Sequence, residues 1–364
     1  MRYPSIRSER NVSMKRIVVF LLALMTAIFM LAGCGTENAS QGNQSATRVV
    51  KDIDGTDVTI PKDITKVADL WHANNQVVLM LGGADTLVST TKNVQGLPWF
   101  AQVYPRIKEI PAPVKGTDVQ MEEIQKVQPQ VVLASNKNQI EMARNAGIPA
   151  VRVNFADYDG LRKTVTITAE VLGGKAPEIA KQYIAYLDGK IKFAEDKTKN
   201  IADADRPSVL HIVGGDDLLK VDGHKTIIDE WIRYAGGKNA ITADGPQITV
   251  TMEEIVKADP DIIIIGGTQS RKGIEAIKND PQWASLKAVQ NGRIYSNPVG
   301  TFNWDRYSAE SALQILWAAK LIHPELFSDV DLVKETQEFY KTFLHYDLSA
   351  DDAQRIINGE APAK

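Results

Sequence analysis

The sequence predicts an α/β fold: two doubly wound α/β lobes joined by one long rigid helix, with a ligand cleft between them. Three observations predict it. First, one segment occurs twice: Val119-Gln-Met-Glu-Glu-Ile-Gln-Lys-Val-Gln-Pro-Gln-Val-Val-Leu-Ala134 returns 131 residues later as Val250-Thr-Met-Glu-Glu-Ile-Val-Lys-Ala-Asp-Pro-Asp-Ile-Ile-Ile-Ile265. Met121/Met252, Glu122/Glu253, Glu123/Glu254, Ile124/Ile255, Lys126/Lys257 and Pro129/Pro260 match without a gap. That offset is a domain spacing, whereas solenoid repeats run at about 20–50 residues. Second, strand and helix patterns alternate through both halves, as they do around a covered parallel sheet. Third, from Ala176 to about Ile201 the apolar positions Ile179, Tyr183, Leu187, Ile191 and Ala194 keep helical spacing. One helix of about 25 residues spans ~38 Å at ~1.5 Å per residue, the width of a lobe.

The chain begins with segments outside the fold. Arg10, Lys15 and Arg16 precede the apolar run Ile17–Leu31, which ends in Leu31-Ala32-Gly33-Cys34. A basic start, an apolar stretch and small residues form a secretory signal over residues 1–33, with Met14 an alternative start. The run is too short to span a bilayer, which takes roughly 20 apolar residues. Cys34 is the single cysteine, so no intrachain disulfide is available and the core must hold itself together. Residues 34–47 are rich in Ser, Asn, Gln and Gly and predict a flexible tether. The formal charge is −3. Loss of residues 1–33 removes five bases (Arg2, Arg7, Arg10, Lys15, Arg16) and one acid (Glu9), which takes it to −7. Nucleic acid, which calls for a basic face, is excluded as a partner.

Residues 48–174 predict the first lobe. Val49–Ile60 alternates as a hairpin around Asp54-Gly55. Val67–Leu70 is a strand ending in Trp71-His72-Ala73-Asn74-Asn75, with a helix expected over Gln76–Leu81. Leu87-Val88 begins a strand followed by a long loop carrying Trp99, Tyr104 and Arg106. In each repeat copy an N-cap (Thr117 or Asp118; Thr249 or Thr251) opens a short helix that proline stops. The runs Val131–Ala134 and Ile262–Ile265 are continuous, as strands buried on both faces are. Residues 175–204 form the linking helix, and residues 205–364 repeat the rhythm with tail helices added. Val209–Val213 is a strand, Val221–His224 a loop, Ile227–Ala235 a helix and Arg293–Tyr295 a strand. Asn297–Tyr307 is a loop, Ser308–Leu321 an amphipathic helix, and two surface helices follow Pro324.

Several local motifs add up to one resemblance. Leu31–Cys34 resembles a bacterial lipobox. With the paired Met-Glu-Glu-Ile/Pro segments, the single linking helix, Ala235-Gly-Gly-Lys-Asn239, Asp280-Pro-Gln-Trp283 and Ala288-Val-Gln-Asn-Gly-Arg-Ile-Tyr295, the chain resembles the substrate-binding lipoproteins of ATP-driven importers for iron–siderophore complexes, haem and cobalamin. The resemblance covers nearly all of residues 34–364. It implies a non-enzymatic, monomeric receptor, lipid-anchored through Cys34 on the outer side of the cell membrane. It also implies a permease dimer with its ATPase as partner, met by one glutamate on each lobe; the matching residues are Glu122 and Glu253. The physical case agrees, since two exposed carboxylates on twin helices suit a two-fold partner. Helix-start carboxylates also favour the helix dipole, which is all that Glu123 and Glu254 need do.

Ligands of open α/β sheets lie beyond the carboxyl ends of the strands. Trp71, His72, Asn74, Trp99 and Tyr104 from the first lobe, with His224, Asn303, Trp304 and Arg306 from the second, are therefore the expected cleft residues. Aromatic, amide and Arg groups on opposed loops suit a flat or chelated ligand with anionic edges. A ferric siderophore leads, with a nickel or cobalt chelate, haem and cobalamin as alternatives; no intrinsic cofactor is expected. His72 and His224 either complete the coordination of a metal held by such a chelator or are ordinary surface histidines. His211, inside an apolar strand, is expected in the core. A bare ion needs three or four convergent ligands, which the five scattered histidines do not offer. An enzyme would need a nucleophile elbow, a His-Glu-x-x-His pair or a phosphate loop, and the sequence holds none.

Overall fold

The computed structural model describes residues 46–115, 118–267 and 269–363. The expected signal, the lipidation site Cys34, nearly all of the tether, and Thr117 as a cap lie outside the described residues. Strands β1 (Thr47–Lys51) and β2 (Asp57–Pro61) pair as the expected hairpin, turning at Gly55 with φ 82°. β3 (Val67–Asp69) follows, then α1 (His72–Met80), β4 (Leu87–Ser89), α2 (Lys92–Gln95) and α3 (Pro98–Val103). A small antiparallel pair, β5 (Val114–Lys115) and β6 (Asp118–Val119), leads into α4 (Met121–Lys126). β7 (Val131–Ala134), α5 (Lys137–Asn145), β8 (Ala150–Arg152) and α6 (Tyr158–Leu172) complete the first lobe. Its sheet is wholly parallel in the order β4-β3-β7-β8.

The linking helix α7 (Ala176–Thr198) has 23 residues, about 34 Å at ~1.5 Å per residue. Its buried stripe of Ala180, Tyr183, Leu187, Ile191 and Ala194 is the predicted one. The second lobe comprises β9 (Ser208–Gly214), β10 (Asp217–Val221), α8 (Ile227–Tyr234), β11 (Lys238–Asn239), β12 (Ile248–Thr249), α9 (Met252–Ala258), β13 (Ile262–Ile265), α10 (Ser270–Asn279), α11 (Lys287–Gln290) and β14 (Ile294–Ser296). Its sheet runs β12-β10-β9-β13-β14, with β10 and β12 antiparallel and β11 beside the start of β9. α12 (Ser311–Ile322), α13 (Leu332–Phe343) and α14 (Ala350–Ile357) close the chain's described part. Thus β3-β7-β8 and β9-β13-β14 are equivalent parallel cores, and the doubly wound two-lobe expectation holds.

The repeat extends to backbone conformation. Ile124 and Ile255 are fully buried, and the residue before each proline is left-handed, Gln128 at φ 50° and Asp259 at φ 40°. Proline disfavours right-handed helix in the residue before it, so both helices end in the same way. Their starts differ. Thr251 accepts from Glu254 N at 3.2 Å and Glu254 Oε2 accepts from Thr251 N at 2.7 Å, a full capping box. In the first copy Gln120 takes the cap position with no side-chain bond, so Asp118 is not the cap. Thr251→Ala is expected to cost about 1 kcal/mol by urea denaturation, and Gln120→Ala less than about 0.5 kcal/mol. Equal losses would show that the box contributes nothing.

Five other regions depart from expectation. α1 starts at His72 rather than Gln76, because Trp71 N-caps it immediately after β3. The expected loop after β4 contains α2 and α3, the latter opened by Pro98 in the first turn. Val221 ends an antiparallel strand instead of starting a loop. α12 is buried on every side from Ser311 to Ala319, because the linking helix, α8 and α13 all pack on it. The tail helices also turn apolar faces inward, with Phe339 and Tyr340 buried to 1% and 0% exposure.

Candidate functional site

The carboxyl ends of the two sheets meet. His72, the first residue of α1 after β3, stacks on Phe302 of the loop after β14, ring centres 5.5 Å apart. Trp71 packs edge-on against Phe155 at 5.3 Å and Tyr307 at 6.2 Å, and Phe155 meets Tyr307 at 5.9 Å. An aromatic seam therefore joins the lobes where a ligand of this fold belongs. Burial lowers the His72 imidazole below its ordinary pKa, so near neutral pH it carries a free lone pair. Asn303 is half-buried, and its Oδ1 is enclosed without a hydrogen-bond partner. A buried acceptor of that kind has a use for a donor or cation brought by a ligand.

His224 stands at one flank of the seam, half-exposed, with Nε2 3.9 Å from Asp229. It lines a cavity of about 400 Å³ together with Asp157 of the first lobe and Lys225, Glu230, Arg233 and Asp244 of the second. Larger hollows of about 550 and 670 Å³ lie along the linking helix, and His224, Asp229 and Arg233 line the first of them as well. Among the described residues no group of three or more His, Cys, Asp or Glu side chains is arranged to hold a metal ion.

Five expected cleft residues have polar tips that already hold a partner within the protein. Asn74 is fully buried, donating to Asp69 Oδ2 and accepting from Thr168 Oγ1, both at 3.0 Å. Trp99 is 1% exposed on α3, and its indole N–H donates to Glu360 O at 2.7 Å. Tyr104 donates to Ala84 O at 3.1 Å, at the amino end of β4 and so on the far side from the seam. Trp304 is fully buried and donates to Glu310 Oε1 at 3.0 Å. Arg306 is spent in a buried network, with NH2 2.9 Å from Asp222 and Nε 3.0 Å from Asp305.

The same two carboxylates flank His211, which is in the core as expected. Nδ1 is 2.9 Å from Asp222, and Nε2 makes a close but poorly aligned contact of 3.1 Å with Asp305. Burial alone pushes this imidazole down, yet the two carboxylates bring it above its ordinary value. Asp305 in turn sits over Gly266 at the end of β13, where an added Cβ would lie 2.5 Å from Asp305 Oδ2. The network thus forms the floor of the second lobe's side of the seam. Its only sequence signal was polar residues inside apolar runs, His211 and Asp222. Glu122 and Glu253 are exposed in the first turns of α4 and α9, while Glu123 pairs with Lys126 at 2.6 Å and Glu254 completes its cap.

Two facing parallel cores, a rigid joining helix and an aromatic seam between strand ends define a two-lobed binding protein. The chain belongs to the periplasmic binding protein family, which it matches over residues 34–299. It is 28% identical over 295 residues to the ABC transporter substrate-binding lipoprotein YvrC of Bacillus subtilis strain 168, covering 78% of this chain and 90% of that one. The molybdate-binding protein MolA of Haemophilus influenzae is 24% identical over 347 residues, covering 85% and 94%. Among solved structures, a periplasmic solute-binding protein from Veillonella parvula superposes with a TM-score of 0.76 at 27% identity, covering 86% and 97%.

Proposed function

We propose that this protein is the lipid-anchored, extracytoplasmic substrate-binding component of an ABC importer, capturing a metal chelate and delivering it to a permease. The seam carries the reading: His72 and Phe302 stack from opposite lobes, and Asn303, next to Phe302, holds a carbonyl oxygen without a partner. A metal arriving with its own chelator needs at most one or two protein ligands, and His72 and His224 are the available ones. Ferric siderophore remains the leading cargo, with nickel or cobalt chelates, haem and cobalamin behind it. The likeness to MolA favours a second reading, a metal oxyanion held by neutral donors, because Arg306 is already neutralised by Asp222 and Asp305.

The twin glutamates support the docking half of the reading. In a βα unit the helix runs back against its strand, so helix starts lie on the side of the strand carboxyl ends. Glu122 and Glu253 then flank the mouth of the cleft as two exposed carboxylates for the cations of a two-fold partner. Reversing both to lysine is expected to abolish uptake in cells while leaving cargo affinity unchanged. An equal fall in affinity would contradict docking. The optical spectrum of protein isolated from its native cell, with mass spectrometry of the released ligand, tests the cargo; failure to bind ferric siderophore, the other chelates or molybdate in titration would overturn the binding role.

A further inference from the structure

The imidazole of His72 is held by its face and left free at its edge. It stacks on Phe302 at an interplanar angle of 22°, and among the described residues neither ring nitrogen has a hydrogen-bond partner. A metal-binding histidine is ordinarily oriented by a hydrogen bond from its second nitrogen. Here the stack supplies the orientation instead, so His72 is placed only as accurately as Phe302 is. Phe302 belongs to the loop after β14, on the other lobe. Among the described residues, Gln76 makes every hydrogen bond between α1 and residues 297–311.

Gln76 lies four residues after His72, so the two side chains leave the same face of α1 one turn apart. Its amide is fully buried and makes four bonds. Nε2 donates to Glu310 Oε2 at 2.6 Å and to Thr301 Oγ1 at 2.7 Å. Oε1 accepts from Ala309 N at 2.7 Å and from Ser308 Oγ at 3.1 Å. Glu310 Oε2 also accepts Phe302 N at 3.1 Å. His72, Gln76, Glu310 and Phe302 therefore form a closed circuit: one helical turn, two hydrogen bonds through a single carboxylate oxygen, and the ring stack. The four partners of Gln76 are at most 1% exposed, in the low-dielectric interior where such bonds are strongest. Tyr183 OH donates to Ala309 O at 2.8 Å and Tyr158 OH to Ser311 O at 3.2 Å. Those bonds end at the start of α12 and do not reach Phe302.

We propose that Gln76, acting through Glu310, is the positioning residue of the cargo site: it sets His72 against Phe302 and so holds an uncommitted imidazole edge in place before cargo arrives. Groups fixed in advance lose no freedom on binding, which favours affinity. The use of His72 rests on the binding role proposed above, whereas its placement is read without cargo, by proton NMR of the full chain at about pH 8, where an imidazole is neutral. The His72 ring signals are those lost in His72→Gln, and their ring-current displacement is the part removed by Phe302→Leu. Gln76→Met keeps the length of the side chain and none of its four bonds; it is expected to move the His72 signals toward their Phe302→Leu positions. Glu310→Gln should move them in the same direction, which covers the case of a Gln76→Met chain that fails to fold. Tyr183→Phe removes a buried bond to the same turn and should leave them in place, which separates positioning from a general loss of stability. In titrations with ferric siderophore, nickel and cobalt chelates, haem, cobalamin and molybdate, the cargo that binds the native protein is expected to bind Gln76→Met at least about tenfold more weakly, and Tyr183→Phe within about twofold of native. The proposal is overturned by His72 signals unmoved in the folded Gln76 and Glu310 variants, by signals moved as far in Tyr183→Phe, or by cargo bound to Gln76→Met as tightly as to the native protein. If the native protein binds none of these, the binding role fails while the His72 signals still decide the positioning.

Discussion

Arg306→Met is expected to lower stability by about 3–5 kcal/mol near neutral pH, the cost of leaving a buried charge uncompensated. Arg306 is 8% exposed and both of its carboxylate partners are fully buried. Without it, Asp222 and Asp305 share one imidazole, His211, and one negative charge has no counterion. The pH dependence carries a sign. His211 is raised in the fold, so its contribution is complete below the unfolded value of about 6.5 and is lost as pH rises through the folded value. Burial alone would raise Asp222, but His211 and Arg306 bring it down to about 2, and Asp305 is lowered likewise. Their contribution is present above the unfolded value of about 3.9 and is lost as pH falls through the folded one. The network is therefore most stabilising between about pH 4 and 6.5. Urea denaturation from pH 5.5 upward should show stability falling in the native protein and a shallower fall in His211→Asn. A cost below about 1 kcal/mol for Arg306→Met, or equal slopes, would mean that the charges are not coupled.

Glu310→Ala is expected to cost at least about 4 kcal/mol, because four of its five donors have no other acceptor and lose theirs at about 1–3 kcal/mol each. Glu310 is fully buried without a cation. Oε2 accepts from Gln76 Nε2 at 2.6 Å, Thr301 Oγ1 at 2.8 Å and Phe302 N at 3.1 Å. Oε1 accepts from Tyr340 OH at 2.6 Å and Trp304 Nε1 at 3.0 Å. The Gln76 amide cannot turn round, since its oxygen takes Ala309 N at 2.7 Å. Burial pushes this carboxyl up while the donors hold its charged form, so the side chain is an acceptor hub joining α1, the Thr301–Trp304 loop and α13. Glu310→Gln should fall between native and Glu310→Ala, its amide NH2 facing donors it cannot accept from. Guanidinium denaturation of the three proteins checks the order; an alanine variant as stable as the glutamine one would show that Glu310 is not a stabilising hub.

Much of the fold was legible because its causes are local. Pro129 and Pro260 stop equivalent helices, Thr251 caps one of them, and the four-residue runs of β7 and β13 are buried on both faces. α6 was hard to read because Thr164–Thr168 is a β-branched run that favours strand, and only tertiary packing beside the linking helix overrides it. Site residues fared less well. Trp71 and His72 were expected in the cleft from strand position, since they follow a strand end directly, whereas Trp99, Trp304, Tyr104 and Arg306 were expected there from residue type. An amphipathic side chain serves a cleft or a core equally well, and the choice rests on a partner that local pattern does not specify.

The sequence by itself determined two equivalent α/β cores, the helix between them and the exposed acidic starts of α4 and α9, all set by periodicity, capping and proline within a few residues. Only the tertiary structure decided which polar tips are spent. Trp99 finds Glu360 across 261 residues, Gln76 finds Glu310 across 234, and Arg306 finds Asp222 across 84. The first two pairings exist only once the lobes are closed on each other and the third only once the second lobe is packed, because a buried donor or charge takes whichever acceptor the packed chain brings within reach.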